Sequence, residues 1–191
     1  MRWKAWRYPA AMDITIVKLG GSLIDAPELR RWLAELAEAP GHLVVPGGGP
    51  FADAVREAQA AIGFDELAAH RMAILAMQQY GLLMASLEPR LRLVESEAEI
   101  AATVAPAIWL PWAMIGRDET IEASWDVTSD SLALILAMRL RARRLILVKS
   151  GGEAAADLVD AAFARLRPGY AGEVRILHRS QPLPAASATT M

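Results

Sequence analysis

At 191 residues, with 54% hydrophobic side chains and a formal net charge of −2, the chain is sized for one domain with a core of its own. No basic stripe runs along it, which argues against nucleic acid as a partner. Cysteine is absent, so disulfides, thiolate metal sites and cysteine nucleophiles are excluded together, and three scattered histidines (His42, His70, His178) do not suggest zinc or any other protein-held metal.

The predicted elements alternate between strand and helix. Residues 1–12 read as an N-terminal extension that carries Trp3 and Trp6 and lacks the apolar run of a signal peptide. Asp13–Leu19 is strand-like. Pro27–Ala39 reads as a helix with Asp25 as its cap and Leu29, Trp32, Leu33 and Leu36 on one face. His42–Val45 is a short buried strand, Phe51–Ile62 a helix, and Asp65–Leu87 a long helix. Leu91–Val94 and Ala107–Leu110 are strands around a small helix at Ser96–Ala102. Asp126–Leu140 is an apolar helix, Leu145–Val148 a strand, Ala154–Leu166 a helix and Val174–Leu177 a last strand. Residues 13–179 thus form a single domain, and 180–191 a loose tail. The longest uncharged stretch, Ile100–Gly116, is broken by Pro106 and Pro111 and reads as strand and loop rather than a membrane span. Strands that are apolar throughout, alternating with helices, point to an αβα sandwich with an open, mainly parallel sheet.

In such sheets ligands sit beyond the carboxyl ends of the strands. Three glycine runs fall there: Gly20-Gly21-Ser22, Gly47-Gly48-Gly49, and Gly151-Gly152. Two of the chain's three lysines, Lys18 and Lys149, end apolar runs immediately before the first and last of these turns, while positive charge elsewhere is carried by 17 arginines. A compact ammonium beside a glycine turn suits a phosphoryl group in transit. The segment Ser124–Ser131 places Asp126, Thr128, Ser129 and Asp130 at the start of an apolar helix. Capping explains one of them; Asp130 is also placed to pair with both lysines. On the long helix, His70 and the neighbouring Arg71 and Gln78 are candidates to bind an anionic substrate, against the simpler reading that they are structural. Arg139, Arg141, Arg143 and Arg144 read as a solvated basic face at a helix end.

In order and spacing, Val17-Lys18-Leu19-Gly20-Gly21-Ser22, Pro46-Gly47-Gly48-Gly49-Pro50 and Thr128-Ser129-Asp130-Ser131-Leu132-Ala133 resemble the amino acid kinase superfamily, across roughly residues 13–152. Ser124–Ala133 and His70–Tyr80 look more like its [5-(aminomethyl)furan-3-yl]methyl phosphate kinase-like branch, which serves one-carbon cofactor synthesis. The resemblance implies ATP and Mg²⁺, a homo-oligomer and a cytoplasmic enzyme. It assigns Lys18 to the transferring phosphoryl, Asp130 to orienting the lysines, and Gly20, Gly21 and Ser22 to the ATP phosphates, with Asp126, Thr128, Ser129, Gly151 and Gly152 on the nucleotide side. Gly47, Gly48 and Gly49 would line the acceptor site. Relatives have a longer C-terminal half with another lysine near the phosphates, whereas no lysine follows Lys149 here. Either Lys149 stands in for that lysine, or the nucleotide site is reduced and the chain is a non-catalytic anion-binding subunit. The expected activity is transfer of the γ-phosphoryl of ATP to a small phosphomonoester, a furan-methyl phosphate first, with uridylate-type and amino-acid acceptors behind it.

Overall fold

The computed structural model describes residues 13–103, 105–151 and 159–184. The expectations for residues 1–12, for Gly152 and for the tail beyond residue 184 lie outside this range. Six strands form one sheet: β1 (Thr15–Leu19), β2 (His42–Pro46), β3 (Arg92–Val94), β4 (Ala107–Trp109), β5 (Arg144–Lys149) and β6 (Glu173–His178). Their order is β3-β4-β2-β1-β5-β6, and every pairing is parallel. The helices are α1 (Glu28–Ala37), α2 (Gly49–Ile62), α3 (Glu66–Leu87), α4 (Glu97–Ala102), α5 (Trp112–Ile115), α6 (Ser129–Arg139) and α7 (Ala161–Leu166). The architecture is the expected αβα sandwich. Among the described residues no helix is long and apolar enough to cross a membrane.

Strand alternation divides the core into two layers. Ile16, Leu43, Val45, Trp109, Leu145 and Leu147 face one side, against α6 and α7. Val17, Leu19, Val44, Ile108, Ile146 and Val148 face the other, against Leu29, Trp32, Leu33 and Leu36 of α1. Because side chains alternate with period two, Lys18 follows Ile16 and Lys149 follows Leu147 onto the α6 face. Lys18 lies opposite Leu147 in the β1–β5 register, so the two lysines emerge on the same face, two residues apart along adjacent strands. That register is what brings them together.

α6 is buried all round, from Asp130 to Ala137. A helix that is apolar on every side has to be a core helix. Its start differs from the expected Asp126: the helix begins at Ser129, with Thr128 as N-cap and its hydroxyl accepting the Asp130 N–H. Asp126 stays in the preceding loop. Of the expected helix Ala154–Leu166, residues 154–158 lie outside the described range; α7 runs over Ala161–Leu166, with Asp160 capping it. Asp25 does not cap α1, whose N-cap is Pro27 without a side-chain bond. The basic run is a solvated face only in part: Arg141 and Arg143 are exposed, as expected, and the other two are not. Arg144 belongs to β5, is buried, and bonds Glu173 at 2.7 Å, and Arg139 pairs with Asp118. At the other end of the chain, the segment after β6 is tied to α1: Arg31 donates to the Gln181 carbonyl at 2.9 Å and Glu35 accepts the Leu183 N–H at 2.8 Å.

Candidate active site

At the carboxyl ends of β1 and β2 the first two glycine turns touch. A Cβ on Gly21 would overlap the backbone of Gly49, and one on Gly47 would overlap that of Gly21. Gly49 also adopts φ +55°, which side-chain-bearing residues seldom hold. The Gly47 N–H donates to the Leu19 carbonyl at 2.8 Å, fixing the second turn to the end of β1. The third turn approaches from β5, where the hydroxyls of Ser22 and Ser150 lie 2.7 Å apart. Gly151, by contrast, is exposed with open space around it. Gly21→Ala is therefore expected to cost about 1–3 kcal/mol by overpacking and to force the turns apart, while Gly151→Ala leaves stability nearly unchanged. Denaturant unfolding of the two variants checks this contrast.

Beneath the turns lies a three-membered charge cluster. Lys18 is 5% exposed and Asp130 3%. Lys18 Nζ sits 2.8 Å from Asp130 Oδ1, and Lys149 Nζ donates to Asp130 Oδ2. One carboxylate thus holds two ammonium groups, one on each oxygen, leaving a surplus positive charge. Burial pushes the Asp130 carboxyl up, but Lys18 and Lys149 together hold it below the usual carboxylate range. For Lys149, burial and the repulsion of Lys18 outweigh the pull of Asp130 and Asp160, so its ammonium is less stable than a free lysine's. The arrangement persists because each buried charge has a partner.

A cavity of about 450 Å³ is lined by chain neighbours of this cluster, Thr128 and Ser129, while Lys18, Asp130 and Lys149 are not themselves on its wall. Gly21, Ser22, Gly48, Gly49, Thr128 and Ser129 line its polar side, and Ile74, Met77, Val127 and Leu132 its apolar side. His70 is on its wall. It is 9% exposed, its Nε2 is buried without a partner, and burial together with Arg71 lowers its pKa, so the imidazole is neutral near pH 7. The other named candidates lie elsewhere. Gly20 packs beside Lys18 Nζ and Gly47 against Gly21. Arg71 and Gln78 are not on the cavity wall, and Gln78 instead accepts the Trp112 N–H at 3.1 Å. The Asp126 N–H donates to Ser124 Oγ at 3.1 Å.

Two features escaped the sequence reading. Trp125 lines the cavity from the loop before α6. Its indole N–H donates to Gln59 at 2.6 Å and the Arg56 guanidinium lies 4.4 Å from its ring centre, so two residues of α2 hold it. The second is Asp160, whose role depends on contacts with residues 29 and 32 positions earlier. For Trp125 a signal existed, since it precedes the Asp126–Asp130 cluster directly. For Asp160 there was none.

Residues 13–151 match the amino acid kinase family model. The chain belongs to that family. Among characterised proteins it is similar to the [5-(aminomethyl)furan-3-yl]methyl phosphate kinase of Methanocaldococcus jannaschii, with 33% identity over 138 residues. That match takes in 69% of this chain and spans 63% of the enzyme's length. Among solved structures, the uridylate kinase of Archaeoglobus fulgidus superposes with a TM-score of 0.65 at 14% identity, covering 86% of this chain and 90% of that one. An isopentenyl phosphate kinase gives 0.58 at 16%, covering 88% and 93%. At such identities these two likenesses speak to the fold alone, and they bear out the expected sandwich. Lys18 and Asp130 of the charge cluster belong to two of the three motifs that the sequence displayed, and Lys149 lies outside them.

Proposed function

We propose that this amino acid kinase family member transfers the γ-phosphoryl group of ATP to a small phosphomonoester, with [5-(aminomethyl)furan-3-yl]methyl phosphate as the first candidate acceptor. The observation that carries this reading is the Lys18–Asp130–Lys149 cluster, set where the glycine turns of β1 and β2 meet, with its chain neighbours Thr128 and Ser129 on the cavity wall. Phosphoryl transfer asks little of covalent chemistry and much of positioning and charge. The surplus cation of the cluster supplies that charge, and Asp130 fixes both ammonium groups in place. The start of α2, at Gly49 and Pro50, borders the cavity with the positive end of a helix dipole. An acceptor phosphate is already ionised, so no strong base is needed. On this reading Lys149 does the work of the second phosphate lysine.

The cavity wall joins residues expected on the nucleotide side, Gly21, Ser22, Thr128 and Ser129, with acceptor-side Gly48, Gly49 and His70, which supports a site where ATP and the acceptor meet. Among the described residues no three His, Asp or Glu side chains gather as a metal cage. Mg²⁺ fits here as an ion carried on nucleotide phosphates, which supply most of its ligands themselves. The choice of a furan acceptor rests on the Methanocaldococcus jannaschii relative and on the mixed apolar and polar lining with Trp125. A homo-oligomer and a cytoplasmic location belong to the same proposal. Leu67, Leu75 and Leu82 form an exposed apolar line along α3 that suits a subunit contact, and sedimentation should find a species larger than the monomer.

The test is ADP release coupled to a spectroscopic assay, with ³¹P NMR to detect a diphosphate product. The furan phosphate should turn over well above uridylate, isopentenyl phosphate and free amino acids. A different preferred acceptor would keep the kinase and replace the substrate. Calorimetry showing no ATP or ADP binding would instead favour the non-catalytic subunit.

A further inference from the structure

Asp160 caps α7 by accepting the Phe163 N–H at 2.7 Å on Oδ1. One such bond is enough for a cap. The same carboxylate accepts four more, all from the first turn of α6: the Thr128 N–H at 3.1 Å, the Thr128 hydroxyl at 2.6 Å, the Ser131 N–H at 3.1 Å, and the Ser131 hydroxyl. Five donors saturate the carboxylate's acceptor capacity. Thr128 and Ser131 bracket Asp130, and the Thr128 hydroxyl in turn accepts the Asp130 N–H.

We propose that Asp160 is a positioning residue for phosphoryl transfer, locking the N-terminal turn of α6 so that Asp130 stands between Lys18 and Lys149. This rests on the phosphoryl-transfer reading above, which it deepens. The geometry favours it over a plain helix cap, because four of the five bonds serve the neighbouring helix rather than α7. Charged donors and acceptors make such bonds strong, and a turn pinned on both sides of Asp130 leaves that carboxylate little freedom to follow one lysine away from the other. Asp160 also acts on the cluster at a distance. The groups facing Lys149 are Lys18 from β1, Asp130 from α6 and Asp160 at the start of α7, and the field of Asp160 favours the Lys149 ammonium.

The chain's three lysines, Lys4, Lys18 and Lys149, make a direct readout available. With lysine labelled by ¹³C at Cε, the protein gives three side-chain signals whose titration is followed by NMR. In Asp160→Asn, the Lys149 signal should titrate at lower pH than in the wild type. Its kcat should fall about 10²-fold, the scale of a slight misplacement of reacting groups, with acceptor KM within a few-fold. Phe163→Leu loosens α7 in the core without touching the carboxylate. It should lower Tm and leave the Lys149 titration and kcat in place. Asp160→Asn with wild-type kcat and titration, or matching behaviour of the two variants, overturns the proposal. Should Asp160→Asn not fold, Ser131→Ala removes a single hydroxyl and leaves the carboxylate charged; kcat should fall by a smaller step with the Lys149 titration not moved to lower pH, and wild-type kcat there also overturns it. If the wild type shows no turnover, phosphoryl transfer is refuted, while the lysine titration still decides what Asp160 does.

Discussion

Lys18→Ala is expected to lower turnover by about 10³-fold, the upper range for removing one preorganised group that stabilises transition-state charge. The loss should fall on kcat, because the ammonium matters most when negative charge redistributes over the moving phosphoryl. The fold should survive. Asp130 keeps Lys149 as a partner, so the substitution does not leave a carboxylate buried alone. Circular dichroism and a thermal melt would establish this alongside the kinetics. Arginine is a poor replacement, since a planar fork cannot occupy the compact space that the ammonium shares with Gly20. Turnover unchanged in Lys18→Ala would remove the charge cluster from the mechanism.

Asp130→Asn should be the most damaging single change to both stability and activity. It leaves two ammonium groups facing each other in a buried site, with only the field of Asp160 on Lys149 to offset them. Breaking a buried pair in this way costs about 3–5 kcal/mol, and the lysines then lose their common anchor. Asp130 also predicts an acid response. Its folded pKa is depressed, so its contribution to stability is complete above the unfolded aspartate value of about 4 and is lost as pH falls through the lower folded value. Urea unfolding of the wild type between pH 7 and pH 3 should show this loss, and in Asp130→Asn that part of the pH dependence should be missing. A variant as stable as the wild type at pH 7 would contradict the two-sided pairing.

The layers were legible in the sequence because the strands are apolar throughout. A run such as Leu145–Val148 has no polar face to offer solvent, and this implies cover on both sides. The meeting of the glycine turns was legible too, since Gly21 and Gly47 follow strands in a parallel fold and Lys18 lies near the end of β1. Helix starts were less so. Asp126, Thr128 and Asp160 all belong to the class of residues that cap helices, and choosing among them depends on which N–H groups tertiary packing leaves open. Arg144 misled for a related reason: a charged residue at a strand edge reads as exposed until Glu173 from the neighbouring strand is in place. The wall of the cavity was the least legible part. Trp125 has a local signal in its place directly before the Asp126–Asp130 cluster, but the hold that Gln59 and Arg56 of α2 have on its indole is a long-range contact.

The surplus cation beneath the glycine turns has a consequence for the energetics of nucleotide capture. A polyphosphate settling over Lys149 restores the full ammonium form that burial and Lys18 disfavour. In the alkaline range, where that side chain is partly neutral in the free protein, binding should therefore draw a proton from the solvent. The heat measured on mixing would then vary with the ionisation enthalpy of the buffer, and affinity would weaken as pH climbs.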